Sequence, residues 1–186
     1  MFVDSHCHLS FPELHGRIDA VRADMAAARV ARALVICTTL EEFATVHALA
    51  LAHDNFWCTA GVHPDTEGLA EPDVASLQAL AVLPRVVGVG ETGLDYYRLN
   101  GRSVADMAWQ RDRFAVHMAV AHAVAKPLVI HTRGASDDTV AMLRSAQQAA
   151  GGALTGVFHC FTETAEVARA ALDLGFMISF SGILTF

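Results

Sequence analysis

Short apolar stretches and longer Ala-rich amphipathic stretches alternate seven times along this chain, with no linker or composition break between them. Apolar runs of four to eight residues read as buried strands, and the longer periodic stretches as helices. Strands are expected at residues 2–9, 33–37, 56–62, 86–91, 128–131, 155–160 and 176–180. Helices are expected at 16–29, 41–53, 72–83, 103–125, 136–149 and 165–174, with a loop at 93–101. Lys126-Pro127, Gly151-Gly152 and Gly175 supply the stops, because proline disfavours helix before it and glycine accepts the left-handed turn after it. Such alternation predicts a single α/β domain over residues 1–186 with a parallel sheet. A doubly wound open sheet and a TIM-type (β/α)8 barrel both satisfy it. The polar residues favour the barrel, since they gather at C-terminal strand ends, where barrel enzymes place their chemistry.

Composition narrows the function. Apolar residues make up 53% and charged residues 18%, which suits a packed globule rather than a disordered chain. A net charge of −7 argues against a protein that coats nucleic acid through a cationic surface. It leaves room for a phosphate ester bound through metal ions, which bring their own positive charge. Lys126 is the only lysine, so cationic contacts fall to arginine. Cys7, Cys37, Cys58 and Cys160 lie in strand-like stretches and form no CxxC pair, so they read as structural thiols of a reducing compartment. With no apolar run of membrane-spanning length and no signal-peptide pattern, the expected location is cytoplasmic.

The chemistry is carried by strand ends. Alternation along the first strand points His6 and His8 the same way, about 6–7 Å apart, with Cys7 opposite. Glu91 ends the fourth strand behind Gly88 and Gly90, His131 ends the fifth, and His159 nearly ends the sixth. One strand-end histidine alone is a hydrogen-bonded rim residue, and one such glutamate a salt-bridge partner. Five at equivalent places point to a divalent-metal centre. Imidazoles and a carboxylate without thiolate suit zinc, manganese, iron or magnesium. One carboxylate among four imidazoles suggests two ions bridged by Glu91, about 3.5–4 Å apart, with activated water as the nucleophile. No Ser-His-Asp or Cys-His pattern competes, and residues 88–93 lack the GxGxxG spacing of a nucleotide cradle. Asp4 shares the face of His6 and His8 and reads either as an outer support of the metal or as a hydrogen-bonded barrel residue. His15, His47, His53 and His122 read as solvated or packing residues.

Taken together, FVDSHCHL at 2–9, GVHP at 61–64, GETGLDYYR at 90–98, Gln110 with Phe114, HTR at 131–133, FHCF at 158–161 and ISFSGILTF at 178–186 resemble the TatD family of metal-dependent hydrolases. That family lies within the amidohydrolase-like barrel superfamily. The resemblance implies that His6, His8 and Glu91 hold one ion, and Glu91, His131 and His159 a second, the ions being Mg2+, Mn2+ or Zn2+. It implies Glu91 as the catalytic carboxylate, with His63 and Arg133 near the substrate phosphate. It leaves Asp95, Tyr96 and Arg98 without an assigned role. The activity implied is that of a TatD-type deoxyribonuclease cleaving phosphodiester bonds of DNA from a 3′ end. The alternatives are a metal-dependent esterase or amidohydrolase, such as an aminoacyl-tRNA deacylase, and a catalytically impaired metal-binding protein. Related amide and lactone hydrolases often bridge their metals with a carboxylated lysine on the fourth strand. Here Glu91 stands in that place, and Lys126 lies at a helix end.

This chain departs from the family pattern at Asp65, where a histidine is common, at Gly134, where an acidic residue is common, and at His117, often glutamine. It also reaches Phe186 directly after the seventh strand. The resemblance implies an eighth strand bearing a Thr-Asp pair whose aspartate joins the first ion, so the expected barrel is C-terminally incomplete and its activity impaired.

Overall fold

The computed structural model describes residues 1–152 and 154–186. Its elements run β1 (Phe2–Cys7), α1 (Pro12–His15), α2 (Ile18–Ala27), β2 (Val30–Val35), α3 (Phe43–Ala52), β3 (Phe56–Ala60) and α4 (Val74–Ala81). They continue with β4 (Val86–Asp95), α5 (Ala108–Val124), β5 (Leu128–Arg133), α6 (Ser136–Ala150), β6 (Gly156–Phe158), α7 (Ala165–Asp173) and β7 (Met177–Ile178). The seven strands pair in chain order, β1 to β7, and every pair is parallel. A doubly wound sheet would reverse its strand order at a switch point. This one never reverses, so each crossover advances the sheet in one direction and curls it into a half-barrel. The curl brings residues from distant strands together: the rings of His6, on β1, and His159, just past β6, stack with centroids 3.2 Å apart.

Local sequence sets the element ends. Asp73 caps α4 by accepting from the Ser76 backbone N–H, while the Ser76 hydroxyl answers the Asp73 N–H, a reciprocal pair that satisfies two orphan donors. The Thr164 hydroxyl caps α7 by accepting from the Val167 N–H. Between sheet and helices, Phe43, Val46 and Leu49 of α3, Leu77 of α4, Phe114 and Met118 of α5, and Leu143 of α6 form one core with Phe56, Cys58, Leu128, Ile130 and Phe158. Each such side chain contributes about 1.5–3 kcal/mol on full burial.

Several boundaries differ from expectation. The helix expected at 16–29 is α2, and an additional short helix, α1, precedes it because Pro12 starts a turn that closes at Gly16. Residues 105–107 form a 3-10 turn ahead of α5. The largest difference is β4, which runs on to Asp95 because β5 continues alongside it, pairing Gly93 with His131, Leu94 with Thr132 and Asp95 with Arg133. The last two strands shrink to three and two residues. The cysteines are free, as expected. No helix among the described residues is long and apolar enough to cross a membrane.

One buried histidine makes stability sensitive to acid. His117 on α5 is wholly enclosed, its Nδ1–H donating to the Arg113 carbonyl at 2.8 Å and its Nε2 accepting from the Val62 N–H at 3.0 Å. Burial pushes its pKa down to about 4, so the fold holds the neutral ring. The unfolded chain, with an ordinary value near 6.5, binds a proton that the native state refuses. Stability is therefore complete above pH 6.5 and declines as pH falls toward 4, by about 3 kcal/mol from this residue. Urea unfolding midpoints across that range should show the decline, and His117→Gln should flatten it. An equal slope in both proteins would disprove this origin.

Candidate metal centre

Glu91 lies at a register irregularity. Gly90 pairs with Val129 and Thr92 with Ile130, so Glu91 is the extra residue between two consecutive rungs. A bulge of this kind re-aims one side chain out of the strict alternation. The carboxylate it delivers is 3% exposed, with each oxygen facing a different group. Oε2 lies 3.1 Å from His6 Nε2 and 3.9 Å from His8 Nε2, and those two nitrogens are 3.2 Å apart. Oε1 lies 3.5 Å from His131 Nδ1 and 3.7 Å from His63 Nε2. Ligands about 2.0 Å from a tetrahedral ion stand about 3.3 Å from each other, so the first group is spaced as a coordination set would be.

Charge and hydrogen bonding are consistent with a cationic guest. Burial would raise the Glu91 pKa, but hydrogen bonds from His131 and His6 outweigh it and hold the carboxyl well below its usual value. Glu91 is thus an anion sealed from water. The buried Nδ1 atoms of His6, His8 and His159 have no hydrogen-bond partner. Polar atoms stranded in this way call for water. An anionic carboxylate and the imidazole Nε2 atoms clustered at it together fit divalent metal.

His131 stands between two carboxylates. Its Nδ1 faces Glu91 and its Nε2 lies 3.0 Å from Asp95 Oδ2. Burial lowers its pKa, yet Asp95 and Glu91 overcome that and raise it to about 9. For Asp95 burial again acts upward, and the bonds from His131 and from the Tyr97 N–H at 2.8 Å pull it below its usual range. An acceptor behind the far nitrogen fixes the ring's orientation and tautomer, the usual support of a metal-binding histidine. Asp95 is itself held from both sides by the buried Gln110 of α5, which accepts from its N–H at 2.8 Å and donates to its carbonyl at 3.0 Å. Asp95, unassigned from sequence, therefore stands behind His131 on the side away from Glu91. Extending β4 and β5 would have shown the closeness, since Gly93 then pairs with His131 and Asp95 follows two residues on.

The five sequence-predicted donors lie close together, and the set expected for the first ion is intact. His6, His8 and Glu91 form one compact group, and Glu91 and His131 belong to a second whose third member is His63. His63 was expected near substrate instead. His159, expected in that second group, stacks on His6, and burial beside this ring lowers its pKa to about 4. Arg133 stands off, its guanidinium 3.7 Å over the Tyr97 ring. Asp4 accepts from the His6 backbone N–H at 3.0 Å and thus steadies β1 locally. A cavity of about 260 Å³ opens over the centre between His8, Phe11, Thr38, His63, Asp65 and Glu91. A cleft of about 340 Å³ adjoins it, lined by Asp65, Asp95, Tyr97, Arg98 and Arg133. A larger hollow, about 570 Å³ around Tyr96, Ser136, Asp138 and Glu163, touches none of the donors.

A curled parallel sheet whose strand ends bring imidazoles to both oxygens of one buried carboxylate defines the class: a metal-dependent hydrolase of barrel type. The model of the family TatD related DNase matches residues 3–186. The metal-dependent hydrolase YcfH of Escherichia coli K12 is 43% identical over 188 residues, covering 99% of this chain and 68% of that protein. The 3′-5′ ssDNA/RNA exonuclease TatD of Edwardsiella piscicida is 35% identical over 182 residues, covering 97% of this chain and 67% of its own length. Among solved structures, the TatD homologue YJJV of Escherichia coli superimposes with a TM-score of 0.88 at 27% identity, covering 100% of this chain and 70% of that one. The chain belongs to the TatD family of metal-dependent hydrolases.

Proposed function

We propose that the chain hydrolyses phosphodiester bonds at the 3′ end of DNA, with two divalent cations, Mg2+, Mn2+ or Zn2+, as cofactors. The observation that carries this reading is Glu91, one buried anion presenting each oxygen to a separate set of imidazoles. His6, His8 and Glu91 would hold one cation, and Glu91 with His131 the other, with His159 as the further donor beside His6. Bound divalent ions supply charge against phosphate oxygens and make water more acidic. The remaining work belongs to the chain. Asp95 keeps His131 turned toward Glu91. His63, steadied on Asp65, places an imidazole at the rim of the cavity, where a ring N–H can donate to a phosphate oxygen. Arg133 and Arg98 line the adjoining cleft, and the carboxylates there are engaged: Asp65 by His63, Glu67 by Arg102 and Asp95 by His131. The cleft thereby offers an anionic backbone two guanidiniums despite the acidic balance of the whole chain. The family description and the Edwardsiella relative, named as an exonuclease of single-stranded DNA and RNA, support a nucleic-acid substrate.

The test uses single-stranded DNA labelled at its 3′ end, incubated with Mg2+ or Mn2+. Stepwise loss of the label is expected, and a chelator should stop it. Hydrolysis of lactones, amides or aminoacyl esters with none on DNA would overturn the substrate in favour of an ester or amide.

A further inference from the structure

Two polar side chains one helical turn apart on α5 are buried for no reason that packing supplies. Arg113 is 3% exposed and His117 fully enclosed, while Phe114 and Met118 beside them already fill the core. Both reach the loop between β3 and α4. Arg113 Nη1 donates to the His63 carbonyl at 2.7 Å and Nη2 to the Thr66 carbonyl at 2.8 Å. Its Nε donates to Glu71 at 2.7 Å, the other Glu71 oxygen meeting Nη2, and the guanidinium lies 4.8 Å over the Trp109 ring. His117 accepts from the Val62 N–H. The backbone on both sides of the His63 α-carbon is thus tied to one helix, at Val62 nitrogen before it and at its own carbonyl after it. Burying a guanidinium is costly and is offset only when its donors are matched, as the Glu71 fork and the carbonyls match them here. The other end of His63 sits 3.7 Å from Glu91 Oε1, its ring centroid 4.4 Å from that of His131.

We propose that Arg113 and His117 are positioning residues that fix His63 against the Glu91–His131 pair, and so set the rate of the hydrolysis proposed above, on which the kinetic part of this inference rests. They act through the loop backbone and touch neither a donor side chain of the centre nor the substrate. A displacement of about 1 Å at a reacting group is enough to cost one to two orders of magnitude.

The experiment compares His117→Leu, which fills most of the space without an acceptor, with His117→Gln, which restores one toward the Val62 N–H. On 3′-labelled single-stranded DNA with Mn2+, kcat should fall about tenfold in His117→Leu and return to within about threefold in His117→Gln. Manganese affinity should stay within about twofold in both. Hydrogen exchange at the Val62 amide should accelerate in His117→Leu only. A purely structural role would lower stability without separating the two variants in kcat. The inference is overturned if His117→Leu keeps wild-type kcat and a protected Val62 amide, or if His117→Gln falls as far as His117→Leu. Should His117→Leu not fold, Glu71→Ala at the exposed end of the clamp decides: kcat about twofold to fivefold lower with unchanged manganese affinity supports it, and wild-type kcat overturns it. If the unaltered chain cleaves no DNA, the proposed function fails by itself. The clamp is then judged on Val62 exchange, which the variants should still separate.

Discussion

Glu91→Ala is expected to abolish metal retention and hydrolysis together, with a loss in rate of at least about a thousandfold. The reason is its placement between two groups. Replacing His8 removes one nitrogen from one set and leaves Glu91, His63 and His131 together. Replacing Glu91 removes a donor from both sets at once, because Oε2 faces His6 and His8 while Oε1 faces His131 and His63. The vacated side chain also leaves the clustered imidazoles without a buried anion, so any cation would meet only imidazoles and the His131–Asp95 pair. Titration with Mn2+ and the rate on single-stranded DNA check this, with circular dichroism to confirm that the variant is folded. Wild-type manganese binding in Glu91→Ala would reject the shared-carboxylate reading, whatever its rate. Glu91→Gln separates charge from shape: it keeps the size and one acceptor, so a loss comparable to that of alanine assigns the effect to the negative charge.

The parts of this design that follow from periodicity are readable along the chain, and the parts that follow from closeness are not. His6 and His8 share a face because strands alternate, and the structure has their nitrogens 3.2 Å apart. The order of strands and helices is legible for the same reason, since each element carries its own apolar period. The choice of barrel over open sheet is legible only indirectly, through the polar residues gathered at strand ends; its physical basis is different. It rests on unreversed strand order and on His6 meeting His159, a contact 153 positions apart that no local pattern encodes. The place of His63 beside Glu91 and His131 has a similar origin. His63 lies beyond the end of β3 on a loop whose path is set by Arg113 and His117 from a helix some fifty residues later. His117 itself looks ordinary in sequence, one more residue on an Ala-rich helix. Only its enclosure and its two backbone partners reveal that it must be neutral and directional. Glu91 is legible as a strand-end residue, but the irregularity that turns it is hidden in a glycine pattern that reads equally well as a loop.

That pattern carries the second large effect. Gly93→Ala should cost about 4 kcal/mol or more, a large share of the 5–15 kcal/mol typical of a folded domain. Gly93 has φ +132°, where side-chain-bearing residues are strained, and a Cβ there would collide with the carbonyl oxygen of His131. The obstacle is backbone, so no rotamer change relieves it. β4 and β5 would have to separate at the rung pairing Gly93 with His131, between the two carboxylates that His131 must face. Strain and collision can be told apart with Gly175, which ends the turn after α7 at φ +82° and where an added methyl would meet nothing within 4 Å. Gly175→Ala carries only the backbone cost, about 1–2 kcal/mol. Urea midpoints of the two variants should therefore differ widely, and whatever Gly93→Ala protein remains folded should bind manganese weakly, because His131 has moved. Equal midpoints for the two would show that β4 and β5 tolerate a methyl between them, and that the close approach of these strands is not what holds His131 between Glu91 and Asp95.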